Sequence, residues 1–421
     1  MSTDRLFQSM LNEYLPVSLT KDELIKRDYI LTKANKKMDW RGGQLIVPFQ
    51  GQYASSVQFG SLTDSTDIAD YKYIRGTIST QPEVWATMKF NERDLFQHQG
   101  GKRPEQTFLQ MLPDQVEDLV MYFKMVLATN LLSGPSFSTV TVDGTVGGVI
   151  EVDRVDRFTK DQKVSLQDNN TAAAFYYVIA IDVNGGTLGN GSVTLSATRG
   201  GAAADVSAYT VAQAAKVYHP GAQTGSMTSL VSQLLSLANG GPATLFGQTK
   251  TDWSFLQAVQ VDGTAVSATN ILAKIFDGYT KRQRLAKSGK AAEVLMSYKH
   301  FGSVLKIIES SKGAFNVIPN SRSASQYGWQ TITIGSVSGE ILTMVAIQEM
   351  PDEQILYLDW DSITFYSNDM IHRRKDPQDG KEFYTVRATT GYVYICDYVC
   401  AGDLVCHAPW KNAIMYGIPN Y

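Results

Sequence analysis

Apolar positions along the chain change their spacing several times, and each change marks an element. Leu6, Phe7, Met10, Leu11 and Tyr14 recur at helical spacing until Pro16 stops the pattern. Thr20-Lys-Asp-Glu23 matches a capping box, and Leu24, Ile25 and Tyr29 follow on one helical face. Short runs come next: Gln44-Leu-Ile-Val-Pro-Phe49, Tyr71-Lys-Tyr-Ile-Arg75 and Val84-Trp-Ala-Thr-Met-Lys-Phe90 are rich in the aromatic and β-branched residues of strands. Between the first two lies Gln50 to Asp70, dominated by Gly, Ser, Thr, Gln and Asp. A compact domain rarely carries so long a structureless connection, and such loops are usually functional. An arm that cannot bury its apolar side within its own subunit points to assembly.

The period then lengthens. Gly100-Gly101 precedes a long helix that begins near Pro104 and is interrupted or restarted at Pro113. Val116, Leu119, Val120, Phe123, Val126, Leu127 and Leu131 keep the helical repeat until Gly134-Pro135. From about 136 to 222, glycine doublets punctuate strand-like runs at Lys163–Leu166, Phe175–Ile181 and Ser192–Ser196. Asn184-Gly185 is a hairpin signal, and the Ala-rich segment 202–216 has room for a short helix. Beyond it the pattern is mixed. Helices are expected over Met227–Leu237, Ala268–Leu285 and Tyr298–Glu309. Strands are expected at Glu293–Met296, Trp329–Ile334, Ile341–Ile347, Ile355–Leu358, Ile363–Tyr366, Phe383–Arg387, Tyr392–Val399 and Asp403–His407.

Composition sharpens this. Of 421 residues, 43% are hydrophobic and only 19% charged, so a large core is available and much of the surface is neutral. A net charge of −3 argues against a protein that coats nucleic acid through a basic stripe. The local basic clusters, Lys281-Arg-Gln-Arg284 with Lys287 and Lys290, and His372-Arg-Arg-Lys375, read as solvated helix ends or loops. Three cysteines make no disulfide framework, the N-terminus has no signal-peptide pattern, and no apolar run reaches the ~18 residues of a membrane span. A soluble protein made in the cytoplasm is the simplest expectation.

The search for chemistry returns little. Cys396, Cys400, Cys406 and His407 offer four soft ligands in a short window that could hold zinc. On a strand, however, Tyr392, Tyr394, Cys396, Tyr398 and Cys400 share one face, where cysteine behaves as a small hydrophobe. No His-Glu-x-x-His helix, Gly-x-Ser-x-Gly elbow or P-loop occurs. The acidic pairs Asp359/Asp361 and Asp352/Glu353 read as solvated or capping groups rather than an acid/base couple. No cofactor and no enzymatic activity are expected.

The order of parts resembles a tailed-bacteriophage major capsid protein of the Hong Kong 97 fold, an α+β fold. Phe158–Leu166, Tyr357-Leu-Asp-Trp-Asp361 and Val405–Asn412 resemble phrases that recur in that family. The resemblance implies an N-terminal arm at 1–40 and an E-loop with flanking P-domain strands at 41–99. It places the P-domain spine helix at 100–137, an inserted β-barrel-like module at 138–222, an A-domain at 223–352, and the end of the A-domain with returning P-domain strands at 353–421. It also implies an icosahedral shell around double-stranded DNA, built from hexamers and pentamers of this chain. Portal, scaffolding and decoration proteins would be partners, packaged DNA a non-specific one, and membrane none. The protein would reside in the virion after synthesis in the host cytoplasm. The expected intersubunit arm comprises Phe59, Leu62, Ile68, Tyr71, Tyr73, Ile74 and Arg75, with Gly42, Gly43, Gly100 and Gly101 as hinges. Two alternatives remain at this stage: a zinc-dependent enzyme with a β accessory domain, and a β-rich decoration or binding protein.

Overall fold

The computed structural model describes residues 28–40, 43–51, 73–91, 118–119, 121–168, 173–186, 191–213, 215–222, 226–286, 292–310, 317–318, 330–335, 341–368, 370–375, 384–388 and 391–419. The chain divides into two compact units, Met1–Leu132 with Leu230–Tyr421, and Ser133–Ser229.

The first described element of the first unit is a short helix, α1 (Tyr29–Lys33). Asp28 is its N-cap, and the Asp28 carboxylate accepts from the Leu31 N–H at 3.1 Å. Tyr29, Ile30 and Leu31 are buried. Strand β1 (Asn35–Lys37) follows, then β2 (Leu45–Gln50), β3 (Tyr73–Ile78) and β4 (Glu83–Asn91). A helix, α2, covers 121–132 and buries Phe123, Leu127 and Leu131 at the expected period. The earlier part of the expected spine helix, the polar arm before Asp28, and the capping box at Thr20 lie outside the described residues.

The second unit is a closed six-stranded barrel. Its strands are β5 (Ser136–Val142), β6 (Val149–Val152), β7 (Lys163–Gln167), β8 (Ala174–Asp182), β9 (Ser192–Ser196) and β10 (Lys216–Tyr218), in the spatial order β10-β5-β6-β9-β8-β7. Every pairing is antiparallel, and the register shifts at Val217/Tyr218, Val140/Val142 and Val178/Ala180. Such irregularities bend strands and so help six short ones close on themselves. Alternate residues, among them Ile150, Val164, Leu166, Val178, Leu195 and Val217, fill the interior. The Ala-rich segment 202–216 differs from expectation. It holds only a 3-10 turn, Val211–Gln213, because Val206, Tyr209 and Ala215 are spent on the barrel core.

The chain then re-enters the first unit. The expected helix over Met227–Leu237 is only five residues long, α3 (Leu230–Leu234), followed by a 3-10 turn at Leu237–Asn239. The fully buried Lys250 explains the stop. Its Nζ donates to the carbonyls of Ser232, Gln233 and Leu235 at 2.9, 3.0 and 2.7 Å, capping the end of the helix. A small hairpin, β11 (Thr244–Leu245) and β12 (Gln248–Thr249), leads to β13 (Val259–Asp262), α4 (Ile271–Ala286), β14 (Glu293–Met296) and α5 (Tyr298–Ser310). The remaining strands are β15 (Val317–Ile318), β16 (Gln330–Gly335), β17 (Ile341–Ala346), β18 (Ile355–Leu358), β19 (Ile363–Tyr366), β20 (Ile371–Arg373), β21 (Tyr384–Ala388), β22 (Gly391–Ala401), β23 (Asp403–Cys406) and β24 (Ala413–Tyr416).

These strands build three further sheets. The largest has seven strands in the order β13-β24-β18-β14-β17-β16-β15, and pairs β13/β24 and β14/β17 in parallel. Ile271, Ile275 and Tyr279 of α4 and Phe301 and Val304 of α5 pack onto it. A three-stranded sheet orders β1-β19-β23, and in another β22 pairs with β20, β21 and β4. The architecture is mixed α and β, with helices laid on a largely antiparallel sheet. Among the described residues, no helix is long and apolar enough to cross a membrane.

The N-terminal helix is held by one carboxylate. Tyr29 Oη and Trp360 Nε1 donate to Glu293 Oε2 at 2.7 and 2.6 Å, and Lys33 Nζ pairs with Glu293 Oε1 at 2.7 Å. Burial and the neighbouring Glu293 carboxylate both push the Tyr29 hydroxyl pKa far above its usual range.

Candidate functional site: the β2–β3 ribbon

β2 and β3 form a two-stranded antiparallel ribbon, in register from Leu45↔Ile78 to Gln50↔Tyr73. A ribbon of two strands is marginal by itself and needs a covered face. The inner rungs are Leu45–Ile78, Val47–Gly76 and Phe49–Ile74. Val47, Phe49 and Ile78 are buried with Leu245, Phe255 and Trp410, and the Phe49 ring stacks on Phe246 with centroids 6.0 Å apart. Gly76 is required there: a Cβ at this position would meet Phe49 Cε2 at 2.6 Å and Phe246 Cβ at 2.9 Å.

Both edges of the ribbon base are also taken. On the β3 side, the Thr77 N–H donates to the Phe246 carbonyl at 2.9 Å, and Gln248 Nε2 donates to the Arg75 carbonyl at 2.9 Å. On the β2 side, the Gln50 N–H donates to the His407 carbonyl at 3.0 Å, and Trp410 Nε1 donates to the Gln50 carbonyl at 3.1 Å. Pro48 has no N–H to offer this edge, which is where a strand tolerates proline. Its carbonyl accepts from His407 Nδ1 at 2.9 Å, so His407 Nε2 is the acceptor for Tyr366 Oη at 3.1 Å. Burial lowers the His407 pKa and favours the neutral ring that this arrangement uses.

The outer face is more exposed. Ile46 is 59% exposed and Tyr73 61% exposed, and Pro48 and Arg75 beside them are exposed as well.

Of the residues singled out in the sequence, Tyr73, Ile74 and Arg75 lie on β3, with Tyr73 and Arg75 facing out and Ile74 facing in. Phe59, Leu62, Ile68, Tyr71, Gly42, Gly100 and Gly101 fall outside the described residues. Gly43 sits just before β2 in open space. The cysteine–histidine window is dispersed among separate partners. Cys400 is buried in β22 opposite Ile371, while Cys406 lies in β23 within 3.2 Å of Asn412 Nδ2 and 3.9 Å of Ser362 Oγ. Burial pushes the Cys406 thiol up to about 12 and Cys400 higher still, which keeps both protonated and apolar. Among the described residues no group of His, Cys, Asp and Glu side chains is gathered as a metal site. Asp359 accepts from the Asp361 N–H at 3.3 Å as the cap of the 3-10 turn Trp360–Ser362.

Sequence reasoning missed His407 and Trp410 as anchors of the ribbon. Their partners lie 359 and 360 residues away, beyond any local signal.

No family model matches this chain, and no curated protein matches it significantly. Solved structures do. The capsid asymmetric unit of cyanophage A-1(L) is 11% identical over 92% of this chain and 91% of its own, with a TM-score of 0.47. The capsid of a native GTA particle is 12% identical over 94% and 91%, with a TM-score of 0.43. The capsid of Myoviridae phage XM1 is 8% identical over 92% and 91%, with a TM-score of 0.38.

Proposed function

We propose that this chain is a structural subunit that self-assembles into the icosahedral head shell of a tailed bacteriophage, and that the β2–β3 ribbon is the base of an arm that reaches a neighbouring copy. The observation that carries this reading is the contrast between the two faces of the ribbon. The inner face and both edges are anchored, whereas on the outer face Ile46 and Tyr73 are 59% and 61% exposed. The 52–72 segment joins the two strands, so the anchored base positions whatever that segment meets. Obligate interfaces between subunits are large and apolar, which an exposed Ile–Tyr face at the root of an arm supplies in part.

On this reading the chain packs as hexamers and pentamers, and portal, scaffolding and decoration proteins are its partners in building the shell. The near-neutral to mildly acidic chain lets enclosed DNA contact the wall without sticking to it. The role is structural rather than enzymatic, and the site of action is the virion, after synthesis in the host cytoplasm.

The test is imaging of assembly. Purified chain is expected to form closed shells by negative-stain microscopy. A double variant, Ile46→Glu with Tyr73→Glu, should melt like the parent but remain as unassembled subunits or open fragments. Normal closed shells from that variant would remove the ribbon from the interface. A parent chain that stays a monomer under all assembly conditions would overturn the capsid reading.

A further inference from the structure

Three strands of the barrel wall carry a row of aromatic side chains that its core does not use. Val217 on β10, Val164 and Leu166 on β7, and Val178 on β8 point inward. Period-two alternation therefore turns Lys216 and Tyr218, Lys163 and Gln167, and Phe175 and Tyr177 outward. The register aligns them: Tyr218 stands opposite Ser165, Ser165 opposite Phe175, and Lys163 opposite Tyr177. With strands about 4.8 Å apart and rungs about 7 Å apart, this patch is on the scale of a sugar ring or two; Tyr177 and Tyr218 in it are half-buried, and Ser165 between Tyr218 and Phe175 is fully buried. Phe175 is 51% exposed, a large apolar side chain with no core to serve.

The patch is rimmed by positive charge. Lys163 Nζ lies 4.6 Å from the centre of the Phe175 ring, and Lys216 and Lys160 are exposed nearby in sequence and register. The nearest acid in sequence, Asp161, is paired with Arg199 at 3.6 Å. Asp182 sits at the far end of β8, where it accepts from the Asn184 N–H in its own turn. The closed barrel has no free strand edge, so an extended peptide cannot add to it as another strand. A partner must be recognised by side chains alone, through ring faces and ammonium groups.

We propose that the β7–β8–β10 face of the barrel is a binding site for an acidic polysaccharide. Sugar rings stack on Tyr177, Tyr218 and the Phe175 face opposite the Lys163 ammonium, while uronate carboxylates pair with Lys163 and Lys216. Aromatic faces accept the apolar C–H side of a pyranose, and the lysines select the anionic polymer over a neutral one. The site uses the barrel alone and goes beyond the shell-building role. Its test can be read in the full-length chain whether or not shells form.

The experiment is calorimetric titration of the full-length chain with polygalacturonate oligosaccharides, with dextran oligosaccharides and polyglutamate as comparisons. Saturable binding of the uronate oligosaccharide is expected. It should be at least about tenfold weaker in Phe175→Ala, as for an anchoring aromatic, and largely retained in Phe175→Tyr. Lys163→Met should weaken binding and reduce its salt dependence, since about 1 M salt shortens the screening length to about 3 Å. Unchanged melting of each variant would confirm that the fold persists, as expected for outward-facing positions. Polyglutamate binding as tightly as polygalacturonate would overturn the carbohydrate class in favour of an acidic protein partner. Dextran binding equally well would overturn the role of the lysines. No binding of the uronate, or full binding by Phe175→Ala, would overturn the proposal.

Discussion

Replacing Asp28 by Asn should abolish a pH dependence in how the N-terminal helix is held. Asp28 caps α1 through one oxygen, which accepts from the Leu31 N–H, while its other oxygen is buried without a hydrogen-bond partner. Burial raises its pKa from 3.8 to about 7, opposed by the Leu31 N–H, and the neighbouring Glu349 raises it further. Lys124, which pairs with Glu349 at 3.5 Å, and Lys36 act in the opposite direction by favouring the ionised carboxyl; Cys400 also faces the group. Moving a carboxyl from 3.8 to about 7 costs its ionised form about 4 kcal/mol. The sign follows from proton binding. Between pH 3.8 and about 7 the folded chain holds a proton that the unfolded chain has released, so this contribution is whole below 3.8 and lost as pH rises through about 7. About 3 kcal/mol of it falls between about pH 5 and pH 8, close to a hundredfold in a local opening constant. Asn caps a helix as well as Asp, so Asp28→Asn keeps the Leu31 bond and removes the titration. Hydrogen exchange of the 29–34 amides in unassembled chain, corrected for intrinsic rates, is the assay. The parent should lose protection from pH 5 to pH 8 and the variant should not. Parallel pH profiles for the two proteins would refute the assignment.

Glu293→Ala should cost about 3 kcal/mol or more, because it strands the Tyr29 hydroxyl, the Trp360 indole N–H and Lys33 together. Urea denaturation would measure it, and a loss within about 0.5 kcal/mol would show that water replaces the carboxylate. Gly76→Ala should lift the ribbon off Phe49 and Phe246, costing about 1–3 kcal/mol by overpacking and raising exchange at Val47 and Phe49. Unchanged exchange there would mean that the two rings simply yield. Lys250→Met should destabilise by about 2–3 kcal/mol, because three helix-end carbonyls lose their donor. A neutral result in thermal melting would show that water enters to cap them.

Elements that carry their own period were legible in the chain. The helix at Ile271–Ala286 and the barrel strands Lys163–Gln167, Ala174–Asp182 and Ser192–Ser196 follow from local spacing of apolar residues. Where the expectation failed, a distant residue decided the outcome. A helix is expected over the eleven residues Met227–Leu237, but the one formed is Leu230–Leu234, and its end is capped by Lys250, a position no local rule examines. The Ala-rich segment has only weak helical propensity, and the barrel takes Val206, Tyr209 and Ala215 as core. The sequence offers His407 only a weak zinc reading and no other role. Its neighbours in space are Pro48 and Tyr366, which make it a clamp on the ribbon.

The candidate site was legible as a conflict rather than as a motif. Leu45-Ile-Val-Pro-Phe49 is apolar at every position, the pattern of a strand covered on both faces. The interior strand Ile355–Leu358 shows what such a pattern normally gives, burial at every residue. In β2 only Val47 and Phe49 receive it, while Ile46 stands in solvent across the ribbon from Thr77. Ile46 is 59% exposed, so covering it would contribute about 1–2 kcal/mol. On the capsid reading proposed above, that free energy is realised when a neighbouring copy closes over the outer face of the ribbon.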